Sequence, residues 1–99
     1  EGVACKTPNR DALEHVMKHA HEIVTVSDEE AVASMREIVK ATHNIAEGAG
    51  ALAYAAMKKQ CGTWEGKRVA CVLTGGNASM EMLAKVVGVR RGGRALGEG

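Results

Sequence analysis

Phenylalanine is absent from this 99-residue chain, and Tyr54 and Trp64 are its only large aromatics. Any core must therefore be aliphatic, packed from Val, Ile, Leu, Met and Ala. A chain of this length fits one domain and buries roughly 60–70% of the surface that its extended form exposes. An excess of one charge is also missing. Formal net charge is +1 with acids and bases interspersed, which leaves no electrostatic footprint for nucleic acid or an anionic membrane. No apolar run approaches the roughly 18–20 residues that span a bilayer, and no signal-peptide pattern opens the chain. The expectation is a cytoplasmic protein with neither a nucleic-acid nor a membrane partner.

Cysteine is sparse. Cys5, Cys61 and Cys71 are odd in number and lack CxxC spacing, which argues against a disulfide framework and against a structural zinc site. Cys71 lies inside an apolar run and reads as a small buried hydrophobe. Two catalytic signatures are missing as well: no GxxxxGK[ST] phosphate loop and no HExxH metal helix occurs. His15 and His19 share a helical face and could bind a metal, but no third ligand is indicated, and two surface histidines are the simpler reading.

What is present is a sequence of helix signals separated by short apolar runs. Residues 2–6 read as a short strand, broken by Thr7-Pro8-Asn9, where Pro8 cannot continue a ladder and Asn9 can cap a helix. Over residues 11–20, Leu13, Val16, Met17 and Ala20 recur on one helical face. Residues 23–26 are β-branched throughout and predict a strand buried on both faces. Ser27 followed by Glu30 forms a capping-box pattern, and the acids Asp28, Glu29 and Glu30 suit the positive end of a helix running to about Thr42. Its buried stripe is Val32, Met35 and Val39, with Ile38 beside them.

His43-Asn44-Ile45 reads as a joint. Glu47-Gly48-Ala49-Gly50-Ala51 then leads into an alanine-rich helix ending near Gln60. Two glycines at a helix start cost about 1 kcal/mol each relative to alanine if helical, so this position asks for close backbone approach to another element or a ligand. After a loop over residues 61–66, residues 69–73 form a continuous apolar run, the pattern of a central parallel strand. Thr74-Gly75-Gly76-Asn77 follows. Ser79 can cap a last helix whose inner face is predicted to be Met80, Leu83, Ala84 and Val87. The predicted order is β–α–β–α–α–β–α: an α/β domain over residues 1–88 with a short, mostly parallel sheet flanked by helices. Residues 89–99, rich in Gly and Arg, read as a flexible tail.

The stretch from residue 67 to residue 87 is the candidate site. Ligands in open α/β sheets sit at the carboxyl ends of strands, beside helix N-termini. In such a turn Gly75 and Gly76 permit positive φ and let amides point at an anion, while Asn77 or Ser79 stabilises it. An ordinary strand-to-helix connection has the same pattern. Glu47 is the second candidate, although a carboxylate at a helix start is favourable with no catalytic role.

Taken together, these features resemble a known family. Ser27-Asp28-Glu29-Glu30, then Ala46-Glu47-Gly48-Ala49-Gly50-Ala51, then residues 69–77 ending in TGGN, are similar to the C-terminal part of threonine/serine dehydratases. These are pyridoxal-phosphate enzymes of fold type II, the tryptophan synthase beta-like group. Gly2-Val3-Ala4 and Lys6-Thr7-Pro8-Asn9 fit the strand that precedes these elements. The resemblance implies pyridoxal phosphate as cofactor and part of a fold type II domain as architecture. It implies that Thr74 meets the pyridine nitrogen, that Gly75 and Gly76 let the backbone pass close by, and that Glu47 lies near the ring. A neutral hydroxyl partner leaves the ring nitrogen largely unprotonated, which suits elimination of a β-hydroxyl.

Two departures follow. The family's Schiff-base lysine stretch, SxKxRGA-like, and its four-glycine phosphate loop lie upstream of the matched part. Lys58, Lys59, Lys67 and Lys85 match neither. The expected function is that of a partial segment of an ammonia-lyase-like enzyme, inactive alone. It would associate with itself or with the missing N-terminal half. The alternative is a non-catalytic oligomerising or protein-binding module, or a fragment complementing a partner chain.

Overall fold

A computed structural model describes residues 2–88; the expected tail over residues 89–99 lies outside them. Four α-helices form: α1 (Arg10–His19), α2 (Asp28–Thr42), α3 (Leu52–Lys59) and α4 (Met80–Val87), with 3-10 turns at Ala49–Ala51 and Cys61–Trp64. Three helix starts are set by the side chains that the sequence marks. The Asn9 side chain accepts from the Ala12 N–H at 3.0 Å, and the Ser79 hydroxyl accepts from Met82 at 3.1 Å. At α2 the Ser27 hydroxyl accepts from the Glu30 N–H while the Ser27 N–H donates to Glu30 Oε1, at 3.1 and 2.8 Å. Each bond satisfies a donor that the first helical turn leaves without a partner. The Ser27 backbone N–H, reinforced by its hydroxyl and by Lys59, holds the Glu30 carboxyl below its ordinary value.

The core is small and aliphatic. Met35 of α2, Val86 of α4, Ala46 and Ala51 are buried together, with Val32, Ile38, Ala78 and Met82 packed against them. Helix α2 is therefore the hub, touching α3, α4 and the Ala49–Ala51 turn. Arg36, also on α2, fastens the far end of α4. Its Nε donates to the Val86 carbonyl at 2.7 Å and Nη2 to that of Lys85 at 3.1 Å. A cation there answers both the carbonyls left open at a helix C-terminus and the negative end of its dipole. His43, at φ 58°, turns the chain out of α2, at the joint the sequence predicts.

Three expectations are corrected. No strand or sheet occurs among the described residues, so the α/β domain with a short, mostly parallel sheet is replaced by four helices joined by irregular segments. Residues 2–6, 23–26 and 69–73, expected to be strands, form no ladder. A strand exists only where a neighbour takes its N–H and C=O groups. A β-branched run reports a liking for a half-buried pleated surface without supplying the second strand. Consequently Ile23 is 67% and Val72 72% exposed.

Cys71 is correspondingly exposed and not a buried hydrophobe. Finally, α4 turns a different face inward: Val86 is 2% exposed, whereas Met80 and Val87 of the predicted inner face are open to solvent. Met82 and Val86, four apart, meet α2 instead. Helix α1 buries none of its residues, and Leu13, Val16 and Met17 face outward.

Because Arg36 joins α4 to α2 through two charge-assisted bonds, Arg36→Met should lower stability by about 1–3 kcal/mol. Urea denaturation followed by circular dichroism reads this directly; an unchanged midpoint would show that the contact contributes nothing.

Candidate functional site

The stretch after the Ile45 joint and the paired-glycine turn before α4 are pressed together. The Glu47 N–H donates to the Gly75 carbonyl at 3.0 Å. A Cβ on Gly50 would run into that same carbonyl oxygen and stand 3.1 Å from the Gly75 nitrogen. A Cβ on Gly75 would run into Glu47 Oε1, and one on Gly76 would stand 2.5 Å from the Ile45 carbonyl oxygen. Gly50 and Gly76 are thus required by close approach to backbone, one from each side of the contact, whereas a Cβ on Gly75 would meet only the movable end of the Glu47 side chain. Gly48, by contrast, has nothing within 4 Å of the position of a Cβ.

Positive φ is not what these turn glycines supply. Among the described residues the positive-φ glycines are Gly66 and Gly88, so the expected reason for Gly75 and Gly76 falls away, and at Gly76 backbone proximity takes its place.

Several chain segments meet here. Gly2 lies against Ala49, where a Cβ would stand 2.9 Å from the alanine methyl. With residues 47–49 on one side and 77–79 on the other, a cleft of about 300 Å³ opens, reached also by Met82. Glu47 is half-buried at its wall. The Ala78 N–H closes the turn onto the Gly76 carbonyl at 2.9 Å. Thr74 is exposed and adjoins the bonded Gly75 without lining the cleft. Glu47 and Gly75 are therefore brought into contact, with Gly76 beside Ile45 and Thr74 at the edge. The roles of Gly2, Ala49 and Met82 had no sequence signal beyond small size or apolarity.

The lysines stand elsewhere. Lys58 pairs with Glu37, and that hydrogen bond raises its pKa above the ordinary value. This keeps the amine protonated and unsuited to nucleophilic attack. Lys59 donates to the Thr25 carbonyl at 3.0 Å and lies 3.5 Å from Glu30 Oε1. No lysine lines the cleft. The His15 and His19 rings stack at 5.9 Å on exposed α1. Among the described residues no group of three metal-ligating side chains forms, and no helix is long and apolar enough to cross a membrane.

This arrangement is the setting in which family membership can be read. The sequence model described as "Pyridoxal-phosphate dependent enzyme" matches residues 1–75, so the chain belongs to the pyridoxal-phosphate dependent enzyme family. Within it, the relatives are ammonia-lyases and dehydratases. The L-threonine ammonia-lyase of Thermotoga maritima is 33% identical over 98 residues, covering 97% of this chain and 24% of that protein. The L-threo-3-hydroxyaspartate ammonia-lyase of a Pseudomonas species is 33% identical over 72 residues, 73% of this chain and 23% of that protein. The biosynthetic L-threonine dehydratase of Salmonella typhimurium is 33% identical over 88 residues, 87% of this chain and 17% of that protein. The chain thus spans a quarter or less of the length of these curated relatives. No solved structure matches it.

The two glycines of the EGAGA stretch should respond oppositely to alanine. Gly48 sits at φ −52°, ψ −50°, which alanine adopts freely, so Gly48→Ala should stabilise by about 0.4–1 kcal/mol. Gly50→Ala should destabilise by about 1–3 kcal/mol through overpacking on the Gly75 backbone. Equal effects of the two substitutions in thermal unfolding would contradict the close approach.

Proposed function

We propose that this chain is the ring-side portion of a pyridoxal-phosphate pocket of the threonine/serine dehydratase type, catalytically incompetent until another stretch of polypeptide completes it. The observation that carries this reading is the seating of Gly75 and Gly76 on residues 45–50. The two motifs that carry the family resemblance are thereby in direct contact, with Thr74 at their edge.

The residues present fit one side of the cofactor. Thr74 offers an exposed hydroxyl at the edge of the contact, a neutral partner suited to the pyridine nitrogen. The half-buried Glu47 presents a carboxylate beside the Gly75 backbone and would lie near the ring. The residues do not fit the cofactor's phosphate or its aldehyde. The chain has no four-glycine run, and no lysine lines the cleft.

When bound, pyridoxal phosphate supplies the electron sink for β-elimination. This chain's own contribution is to hold and orient the ring and to leave its nitrogen unprotonated. The substrate class is a β-hydroxy amino acid. Threonine and 3-hydroxyaspartate, the amino acids in the relatives' names, mark its range.

The test uses 4′-deoxypyridoxine phosphate, which has the ring but cannot react with surface lysines. Weak binding to the purified chain, removed by Thr74→Ala, is the expected result. Threonine should give no 2-oxobutyrate above the protein-free rate. Binding indifferent to Thr74→Ala, or clear turnover by the chain alone, would contradict the reading.

A further inference from the structure

Among the described helices, α1 packs against no other helix or 3-10 turn. It has ten residues and buries none of them. An isolated helix shorter than about 12–15 residues is marginal in water, and the Asn9 cap offsets only about 1 kcal/mol of that deficit. On its surface His15 and His19 stand four residues apart, one above the other on the same face. Their ring centroids are 5.9 Å apart and their planes lie 21° from parallel. Both residues are exposed, and neither lines the cleft between residues 47–49 and 77–79.

We propose that His15 and His19 form a two-point site for a late first-row divalent metal ion, of the Ni²⁺, Cu²⁺ or Zn²⁺ class, and that the bound ion clamps α1 in its helical form. Imidazole nitrogen suits these ions, whereas Mg²⁺ and Ca²⁺ prefer oxygen. With each nitrogen about 2.0–2.1 Å from the metal, the centroids of two bound rings stand about 4.5–5.2 Å apart at octahedral or tetrahedral angles. Closing the observed 5.9 Å to that range takes about 1 Å of side-chain rotation, which the exposed rings are free to make. Among the described residues no third protein ligand joins them, so water fills the remaining positions.

The charges about the pair do not oppose a cation. Arg10 and Glu14 are paired at 3.6 Å, and Lys18 is matched against Asp11 and Glu22. The helix itself brings the two imidazoles together, and an unfolded segment leaves their separation to vary. Binding therefore favours the helical form by the ratio in which the ion prefers it. The site is independent of the pyridoxal-phosphate reading, because none of its residues belongs to the contact between residues 45–50 and the glycine turn.

The test titrates the intact chain with Ni²⁺, reading affinity by calorimetry and the α1 amides by hydrogen exchange with mass spectrometry. At ten times the dissociation constant, exchange over α1 should slow by about ten-fold, and Mg²⁺ should leave it unchanged. His15→Ala and His19→Ala should each weaken binding by about ten-fold or more, since the second ligand then no longer acts intramolecularly. Val16→Pro keeps both imidazoles and breaks the helix between them; it should weaken binding by a similar factor. His21→Gln, two residues beyond the pair, should bind as the parent chain does. Full affinity in either alanine variant or in Val16→Pro would overturn the proposal. So would α1 exchange that bound Ni²⁺ does not slow, or an equal response to Mg²⁺. Binding lost in His21→Gln would overturn it in favour of a site past the end of α1.

Discussion

The contact on which the rest depends is the seating of the Gly75-Gly76 backbone on residues 45–50. One hydrogen bond, from the Glu47 N–H to the Gly75 carbonyl, fixes the register. Two missing side chains, at Gly50 and Gly76, let the two stretches meet at backbone distance. Close approach of this kind is unforgiving, because a methyl group has nowhere to go in a packed contact. It also decides where Thr74 and Glu47 stand relative to one another.

The helices serve that contact. Helix α2 carries Met35 into the core beside Ala46 and Ala51, the residues that bracket the Glu47 turn, and beside Val86 of α4. The Ser79 cap starts α4 two residues after Asn77, and Arg36 fastens its end to α2. Both stretches are thus anchored to one helix, one through buried alanines and the other through α4. Within the family this scaffold corresponds to a quarter or less of the relatives' length. Residues 23–26 and 69–73 leave apolar side chains exposed, among them Ile23, Val69, Val72 and Leu73.

Local chemistry was legible and non-local pairing was not. Asn9, the Ser27–Glu30 box and Ser79 could be read from the chain because each cap is settled within three residues. The joint at His43 was readable for the same reason. Strand pairing is not legible locally, because alternation and β-branching describe a segment's own preference, while a ladder needs a partner elsewhere. The inner face of α4 is not set by its own periodicity, because Met82 and Val86 are selected by where α2 lies. At the site, EGAGA and TGGN could be recognised as motifs and assigned to a family. Their mutual contact could not be seen. Gly48 and Gly50 look alike in the sequence and differ only in what stands opposite: open space for one, the Gly75 backbone for the other.

The contact itself can be measured in solution. A through-hydrogen-bond scalar coupling between the Glu47 amide nitrogen and the Gly75 carbonyl carbon, with nuclear Overhauser contacts between the α-protons of Gly50 and the backbone amide of Gly75, is the result predicted for the labelled chain. A folded, helical chain that lacks both signals would contradict the seating of the two motifs and, with it, the ring-side pocket built on them.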